Sequence, residues 1–361
     1  MRKTILSLVQ LCLLFCCVHL YAHNERPSAV NDTSAAVRRS EPFGVNLAGA
    51  EFFHKKMDGV GRFGKDYFYP TTRELDYWKS KGLTLIRLPF KWERIQRTLS
   101  GPLNEEEIAY IGYLLDEADR RGMKILLDMH NYGRRSDNGK NRIIGDSTLP
   151  ASLFAGAWKK IAERVGAHPA LYGYGLMNEP HDMLDSVPWV RIAQVAIDEI
   201  RKVDTKTAIV VGGNHWSSAM RWQEVSDGLK NLRDASDNLI FEAHCYFDND
   251  ASGIYRRSYD EEGAYPNIGV DRTRPFVEWL EANHLRGFIG EYGVPGNDGR
   301  WLECLRNFLD YLSRHNVNGT YWAAGARWNN YILSVHPEED YSKDRVQLKV
   351  LTEYLQTNAE K

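Results

Sequence analysis

Eight short apolar segments recur along the chain, and segments with helical periodicity separate them. Each apolar segment has the length of a strand, and its hydrophobic residues are nearly continuous instead of alternating with polar ones. Continuous apolar strands are typical of a parallel sheet that is covered on both faces. The eight segments are residues 43–49, 83–89, 124–130, 171–178, 207–213, 239–246, 286–293 and 318–325.

Three of the intervening segments have particularly clear helical patterns. In the first, Asn104 can cap the N-terminus, Glu107 follows three residues later, and Gly122 ends the apolar face. The third segment, residues 187–202, is predicted to carry Pro188 in its first turn. These helical segments are residues 104–122, 150–166 and 187–202.

Alternating strands and helices favour a (β/α)₈ TIM barrel, an α/β fold, which we assign to residues 41–361 as a single domain. The competing fold, a doubly wound sheet that binds a nucleotide, has a glycine fingerprint after its first strand, and this sequence has none. In a TIM barrel, the catalytic residues lie at the C-terminal ends of the strands. Polar side chains are therefore expected to collect at those ends.

The charge balance excludes several kinds of partner. The 361 residues include 46 basic and 48 acidic ones, for a net charge of −2, so no field of one sign attracts nucleic acid or an anionic membrane. The 10 Trp and 19 Tyr residues exceed what a core requires, which leaves aromatic rings for flat binding surfaces. A neutral ligand fits this composition.

The N-terminus has the pattern of a secretory signal peptide. Met-Arg-Lys precedes an apolar run, and a small residue, Ala22, offers a cleavage site, so residues 1–22 are predicted to be removed on secretion to an extracellular or periplasmic location. A retained membrane anchor is the alternative, because the run approaches the ~18–20 residues that span a bilayer. Residues 23–40 are polar and aperiodic, as in a flexible leader. Lipidation is disfavoured because no usual small residue precedes Cys12, Cys16 or Cys17.

Polar residues do follow the predicted strands. Asn178 and Glu179 end the fourth strand before Pro180, a pattern that in isolation fits an ordinary loop. Glu291 ends the seventh strand, and two carboxylates in one cleft can hydrolyse a glycoside, one as a proton donor and the other ionised. The other strand ends supply Arg87, His130, Asn131, His244, Tyr246 and Trp322.

From Phe43 to beyond the eighth strand, the chain resembles family 5 glycoside hydrolases, which are retaining (β/α)₈ enzymes. The resemblance rests on an Arg, a His, an Asn-Glu pair, a His and a nearby Tyr, a second Glu and a Trp that occur in this order. The motifs that contain them are IRLP, DMHNY, MNEPH, AHCYF, GEYG and YWAAG.

The resemblance implies a role for each of these residues. Glu179 is expected to be the general acid/base and Glu291 the nucleophile, which Arg87 and Tyr246 orient and keep ionised. Asn178 is expected to hold the sugar's 2-hydroxyl group. His244 is expected beside the acid/base, His130 beside the reacting sugar, and Trp322 beneath it.

No metal or other cofactor is predicted. A zinc-dependent barrel hydrolase normally carries two histidines one residue apart on its first strand, where this chain has Val45, Asn46 and Leu47. His181 and His215 have no assigned role beyond possible sugar contacts. Cys245 and Cys304 are the cysteines outside the signal peptide, and the sequence leaves open whether they pair. We expect the protein to act as a monomer.

Within the family, the motifs look most like those of endo-β-1,4-glucanases, which cleave cellulose and related β-glucans. Trp216 and Trp328 are expected to stack on sugars, and Tyr132, Phe68 and Tyr69 are weaker candidates. The loop of residues 51–70 and the insertion of residues 252–269 could select another β-linked polysaccharide, such as mannan or a mixed-linkage or decorated glucan. A carbohydrate-binding barrel without catalysis is a further alternative.

Overall fold

The computed structural model describes residues 43–52, 60–137, 139–328 and 330–359. All eight predicted strands form, and they pair in parallel into a closed barrel, which confirms the TIM-barrel prediction. A two-stranded antiparallel hairpin, β4 and β5, follows the third barrel strand. The strands are β1 (Gly44–Leu47), β2 (Leu85–Phe90), β3 (Lys124–Met129), β4 (Arg134–Asp137), β5 (Lys140–Ile143), β6 (Leu171–Gly175), β7 (Ala208–Gly212), β8 (Leu239–His244), β9 (Gly287–Glu291) and β10 (Asn318–Ala324).

Helices connect successive strands around the outside of the barrel. They are α1 (Thr72–Ser80), α2 (Trp92–Ile95), α3 (Glu105–Arg120), α4 (Ala151–Val165), α5 (Trp189–Arg201), α6 (Asn214–Ser217), α7 (Trp222–Val225), α8 (Ile268–Asn283), α9 (Gly299–Arg314) and α10 (Val346–Ala359). Short 3₁₀ helices span Asp227–Asn231 and Glu339–Tyr341.

The three predicted helices correspond to α3, α4 and α5, with small differences at their ends. Asn104 caps α3 by accepting a hydrogen bond from the Glu106 amide. Glu107 is buried and accepts hydrogen bonds from two tyrosine hydroxyls, those of Tyr67 and Tyr69, so it anchors the loop after β1. Pro188 is the N-cap of α5, one residue before the first turn in which it was predicted.

The barrel interior is apolar at its lower end and polar above it. Successive side chains of a strand point to opposite faces, so residues two apart share the interior. Leu85 is therefore followed inside by Arg87, and Ile240 is followed by Glu242 and then His244. The apolar layer consists of Leu85, Leu126, Ala208, Val210, Ile240 and Phe288.

Several N-terminal predictions lie outside the described residues. The signal peptide of residues 1–22 and the leader of residues 23–40 are among them, and they stay predictions. Within the described ranges, the structure contains no helix that combines the length and the apolar character needed to cross a bilayer. Cys245 and Cys304 are both buried and unpaired, which answers the question that the sequence left open.

Candidate active site

Arg87 lies at the centre of the barrel's upper end and contacts three carboxylates. It is fully buried on β2, and its Nη1 atom lies 3.0 Å from Asp128 and 3.2 Å from Glu291, while its Nη2 atom lies 2.8 Å from Glu242. The same guanidinium donates hydrogen bonds to amide oxygens of Asn46, at 2.9 Å, and Asn178, at 2.7 Å. One cation therefore fixes side chains from several strands of the barrel.

Glu291, the predicted nucleophile, ends β9 opposite His244 of β8. A register shift after Ala243 brings these two residues together. The Glu291 Oε1 atom accepts from Arg87, and its Oε2 atom accepts from the Tyr246 hydroxyl at 2.8 Å. The predicted partners of this carboxylate are thus in place.

The charge state of Glu291 differs from the expectation. Burial raises the pKa of Glu291 to about 7, and the Glu179 carboxylate acts in the same direction, whereas His244, Arg87 and the Tyr246 hydroxyl lower it. Arg87 and Tyr246 favour the ionised form as predicted, but burial outweighs them. Ionisation of the Glu291 carboxyl group is therefore expected to occur near neutral pH.

His244 joins two carboxylates on opposite sides of its ring. Its Nδ1 atom lies 2.8 Å from Glu179, and its Nε2 atom lies 3.0 Å from Glu242. Although burial opposes the charge, Glu291, Glu179 and Glu242 raise the pKa of His244 to about 10. His244 is therefore an imidazolium at neutral pH that donates to both neighbouring carboxylates.

Glu179, the predicted acid/base, follows β6 in the left-handed region, with a φ of 46°. Non-glycine residues rarely adopt this conformation, which is found where the surroundings hold a strained functional residue. Its side chain is 15% exposed and so reaches the cleft. One oxygen of Glu179, one of Glu291 and a nitrogen of His244 all lie within 4.8 Å of one another.

The spacing of these three atoms would suit a metal ion, but the protonation of His244 opposes metal binding. A metal ligand must be a neutral imidazole with a lone pair. Both nitrogens of His244 face carboxylates, and its raised pKa keeps both protonated at neutral pH. The cluster therefore suits proton transfer better than metal binding.

His130 has the opposite charge state. Burial and the nearby cations Lys91 and Arg87 lower its pKa well below the usual value, so the ring is neutral. Its Nδ1 atom lies 2.7 Å from Asp128, which leaves Nε2 to accept from Asn178, at 3.2 Å. The Asn178 amide is thus oriented at both ends, by Arg87 and by His130, and its second N–H can bind a sugar hydroxyl.

Three contributors to this network, Asn46, Asp128 and Glu242, were missed in the sequence. Asp128 lies two residues before His130, and Glu242 lies two residues before His244. This spacing places an acid and a histidine on the same face of a strand, so period-two alternation could have identified both acids. The Glu242 carboxylate also packs closely on the neighbouring strand, since a Cβ added at Gly290 would lie only 1.9 Å from it.

Aromatic and imidazole rings at the candidate site form a continuous line of ring contacts. Trp322 packs in parallel with His130, with ring centroids 5.5 Å apart, and edge-on against Trp328 at 5.8 Å. In the other direction, His181 stacks on Trp216 at 4.3 Å. Tyr132 links the two halves, at 5.2 Å from His130 and 6.2 Å from His181.

Trp216 and Trp328 occupy different parts of this line. Trp216 is 46% exposed and follows β7 in a run of three left-handed residues, 215–217. Trp328 is partly buried and packs against Phe52 and Tyr331. Both positions agree with the predicted sugar-stacking role, and that role stays a prediction.

Other predicted residues have structural contacts. Asn131 is buried, accepts a hydrogen bond from the Trp92 amide and donates to Glu93, so it ties the end of β3 to α2 and supports the site. Tyr69 is buried against Glu107, and Phe68 lies beneath Arg327, which is consistent with packing roles. His215 contacts Arg221.

Comparison with known proteins agrees with this geometry. Residues 39–327 match the model of the cellulase family, glycosyl hydrolase family 5. The chain is 31% identical over 299 residues to the probable endo-beta-1,4-glucanase B of Aspergillus oryzae, a match covering 81% of this chain and 84% of that protein.

Solved structures give the same result. Endoglucanase Cel5A of Pseudomonas stutzeri, solved with cellobiose, is 40% identical with a TM-score of 0.79, over 86% of this chain and 91% of that one. XacCel5A, solved with cellopentaose, is 35% identical with a TM-score of 0.79, over 87% of this chain and 98% of that one. The family match, the sequence relatives and the structural neighbours agree, and the chain belongs to the cellulase family, glycosyl hydrolase family 5.

Proposed function

We propose that this protein is a retaining endo-β-1,4-glucanase that cleaves cellulose or related β-glucans by double displacement, with Glu179 as acid/base and Glu291 as nucleophile. The observation that carries the proposal is the close approach of the two carboxylates, with oxygens within 4.8 Å of each other. Retaining glycosidases hold their two carboxyl groups about 5–5.5 Å apart, whereas inverting enzymes leave room for a water at about 6.5–9.5 Å.

In the first step, the Glu291 carboxylate attacks the anomeric carbon, and the bond from that carbon to the leaving oxygen breaks. Glu179 acts here in its protonated form and gives that proton to the leaving oxygen, so the departing chain is released as an alcohol. His244 keeps a proton within hydrogen-bond reach of Glu179, at 2.8 Å. A covalent glycosyl ester on Glu291 remains.

In the second step, Glu179 takes a proton from a water molecule, and the water oxygen attacks the same carbon. The ester bond breaks and returns its electron pair to Glu291 as a carboxylate. Two displacements at one carbon restore the original β configuration. Arg87 and the Tyr246 hydroxyl hold Glu291 on opposite oxygens, which directs it at the sugar in both steps.

The preference for β-1,4-glucans is supported by the relatives and by the line of rings. The relatives from Aspergillus oryzae and Pseudomonas stutzeri are named endoglucanases, and two neighbours were solved with cellobiose and cellopentaose. Flat rings stack on the faces of glucose units, and Trp216 and Trp328 are the two ends of the line described above. A glucan chain that rests on both rings would be held away from its own ends, as internal cleavage requires.

Activity on several polysaccharides tests this proposal. Reducing-sugar release and viscosity would be followed on carboxymethyl-cellulose, barley β-glucan, galactomannan and xylan, with Glu291→Ala and Glu179→Ala as controls. We expect the glucans to lose viscosity early, and both variants to be inactive on them. Cleavage of galactomannan alone would overturn the substrate assignment, and activity retained in Glu291→Ala would overturn the mechanism.

We further infer that the protein is secreted and monomeric. Secretion rests on the N-terminal pattern of residues 1–22, and the monomer on a candidate site whose carboxylates and supporting side chains all come from one chain. N-terminal sequencing of the secreted protein should begin at His23, and light scattering should give the mass of one chain. An uncleaved N-terminus would contradict the first inference, and the mass of a dimer would contradict the second.

A further inference from the structure

Residues 248–255, here called the 248–255 loop, follow β8 and are tied together by one buried aspartate. Asp248 accepts hydrogen bonds from the amide of Gly253 at 3.0 Å, from those of Ile254 and Tyr255 at 3.1 and 3.2 Å, and from the Ser252 hydroxyl at 3.0 Å. Its side chain is only 2% exposed. Four donors on one carboxylate fix the shape of this loop.

The far end of the loop is anchored beside the nucleophile. The Tyr255 hydroxyl donates to the carbonyl of Gly293 at 2.6 Å, and Gly293 lies two residues after Glu291. The same hydroxyl accepts from the Phe247 amide at 2.9 Å, and the Tyr255 ring packs edge-on against Trp301. The loop therefore links Phe247, the residue after Tyr246, to Gly293, which lies just beyond the strand that ends with Glu291.

Gly253 brings the loop backbone onto the ring of Tyr246. A Cβ added at Gly253 would lie 2.8, 2.9 and 3.0 Å from the Cδ1, Cε1 and Cγ atoms of that ring. The ring is buried, and its hydroxyl donates to Glu291 at 2.8 Å, so the ring cannot retreat without moving this hydrogen bond. Arg272 holds the Tyr246 backbone by donating to its carbonyl.

We propose that the 248–255 loop positions the nucleophile, and that Gly253, through its contact with the Tyr246 ring, fixes the hydroxyl group that Tyr246 donates to Glu291. Gly253 is a positioning residue, because it acts on Glu291 through the Tyr246 ring. This inference rests on the proposed role of Glu291 as nucleophile.

The predicted consequence is a change in the ionisation of Glu291. The charged groups that face this carboxylate are Arg87 from β2, His244 from β8 and Glu179 after β6, together with the Tyr246 hydroxyl. The Tyr246 hydrogen bond favours the ionised form, so weakening it raises the pKa of Glu291. Two further titratable groups, the hydroxyls of Tyr132 and Tyr331, lie near Glu291. Burial and nearby carboxylates, including Glu291, raise the pKa of both hydroxyls.

The chain offers a matched control for a test by substitution. Gly253 and Gly263 follow the same strand and both have positive φ, 74° and 65°. An alanine at either position is strained in the left-handed region. A Cβ at Gly263 meets nothing within 4 Å, so Gly263→Ala reproduces the backbone strain without the ring contact.

The experiment measures the pH dependence of kcat/KM for the wild type, Gly253→Ala, Gly263→Ala, Tyr246→Phe and the double variant Gly253→Ala/Tyr246→Phe. We expect Gly253→Ala to move the acidic limb upward by roughly half to one pH unit, the scale of weakening one hydrogen bond. Gly263→Ala should not move it. The double variant should match Tyr246→Phe alone, because both changes act through one contact.

Two further measurements keep the test decisive. Asp248→Asn turns an NH₂ group toward the N–H and O–H donors of the loop, so it should move the acidic limb of kcat/KM in the same direction. This variant tests the inference if Gly253→Ala does not fold. NMR titration of δ-¹³C-glutamate, assigned with Glu291→Gln, follows Glu291 without turnover and separates this inference from the proposed function. An unchanged Glu291 titration in folded Gly253→Ala or Asp248→Asn, or additive shifts in the double variant, would overturn the inference.

Discussion

At the residue scale, the ionisation of Glu291, the proposed nucleophile, is expected to set the pH range of activity. Its pKa is raised to about 7 by burial, and only the ionised carboxylate attacks. The active fraction therefore rises as pH increases through about 7 and falls below it. We predict an acidic limb of kcat/KM near that pH, which reports the ionisation of Glu291 in the free enzyme. A profile that stays flat down to pH 5 would contradict the charge state described here.

Arg87 is predicted to be as important for stability as for activity. It forms ion pairs with buried Asp128, Glu242 and Glu291, and removal of one partner from a buried ion pair costs about 3–5 kcal/mol. We expect Arg87→Met to lower the free energy of unfolding in urea by about this amount and to abolish activity. Arg164→Met, which removes an exposed pair with Glu105, should change stability little. Equal losses in both variants would contradict the prediction.

The two residues that we propose as catalytic could be located because they end strands, whereas the side chains that support them could not be identified in the same way. Glu179 and Glu291 stand where apolar runs stop, and a family pattern contains them. Asp128 and Glu242 lie within the apolar runs, where a single acid adds little to the pattern. Their importance depends on Arg87, a contact between strands distant in sequence. The raised pKa of Glu291 likewise depends on burial, which the sequence does not give.

At the element scale, the closure of the barrel depends on close contact between β1 and β2. A Cβ added at Gly44 would lie 1.6 Å from the Leu85 carbonyl oxygen, a backbone atom that cannot move without breaking the ladder. Overpacking usually costs about 1–3 kcal/mol, and we expect Gly44→Ala to cost at least the upper value. Gly112→Ala, within α3 and in open space, should instead stabilise by about 0.5–1 kcal/mol. Urea unfolding of both variants checks the prediction, and a neutral Gly44→Ala would contradict it.

Barrel strands were predictable to within a few residues because burial on both faces makes each one a continuous apolar run. The β4–β5 hairpin was not predicted, because its strands RRSD and KNRI contain almost no apolar residues. It is held by its own ladder and by Arg135, whose side chain is buried and donates to the Gln96 carbonyl. The role of Glu107 was also hidden, since its partners Tyr67 and Tyr69 lie in a loop.

At the scale of the whole molecule, one barrel is expected to carry the entire activity. The family match begins at residue 39, and the described fold begins with Phe43. We therefore predict that a protein beginning at Glu41 and one beginning at His23 have the same kcat/KM on barley β-glucan and the same thermal midpoint. Loss of activity or of thermal stability in the shorter protein would show that residues 23–40 contribute to the folded enzyme.

The most direct test of the central claim is the configuration of the first product. Proton NMR of anomeric signals during cellopentaose hydrolysis distinguishes one displacement from two. Because Glu179 and Glu291 are close enough for direct attack, we predict that the β-anomer forms first and that the α-anomer grows in only by mutarotation, with no reaction in Glu291→Ala. Initial release of the α-anomer would show a single displacement by water and would contradict the assignment of Glu291 as nucleophile.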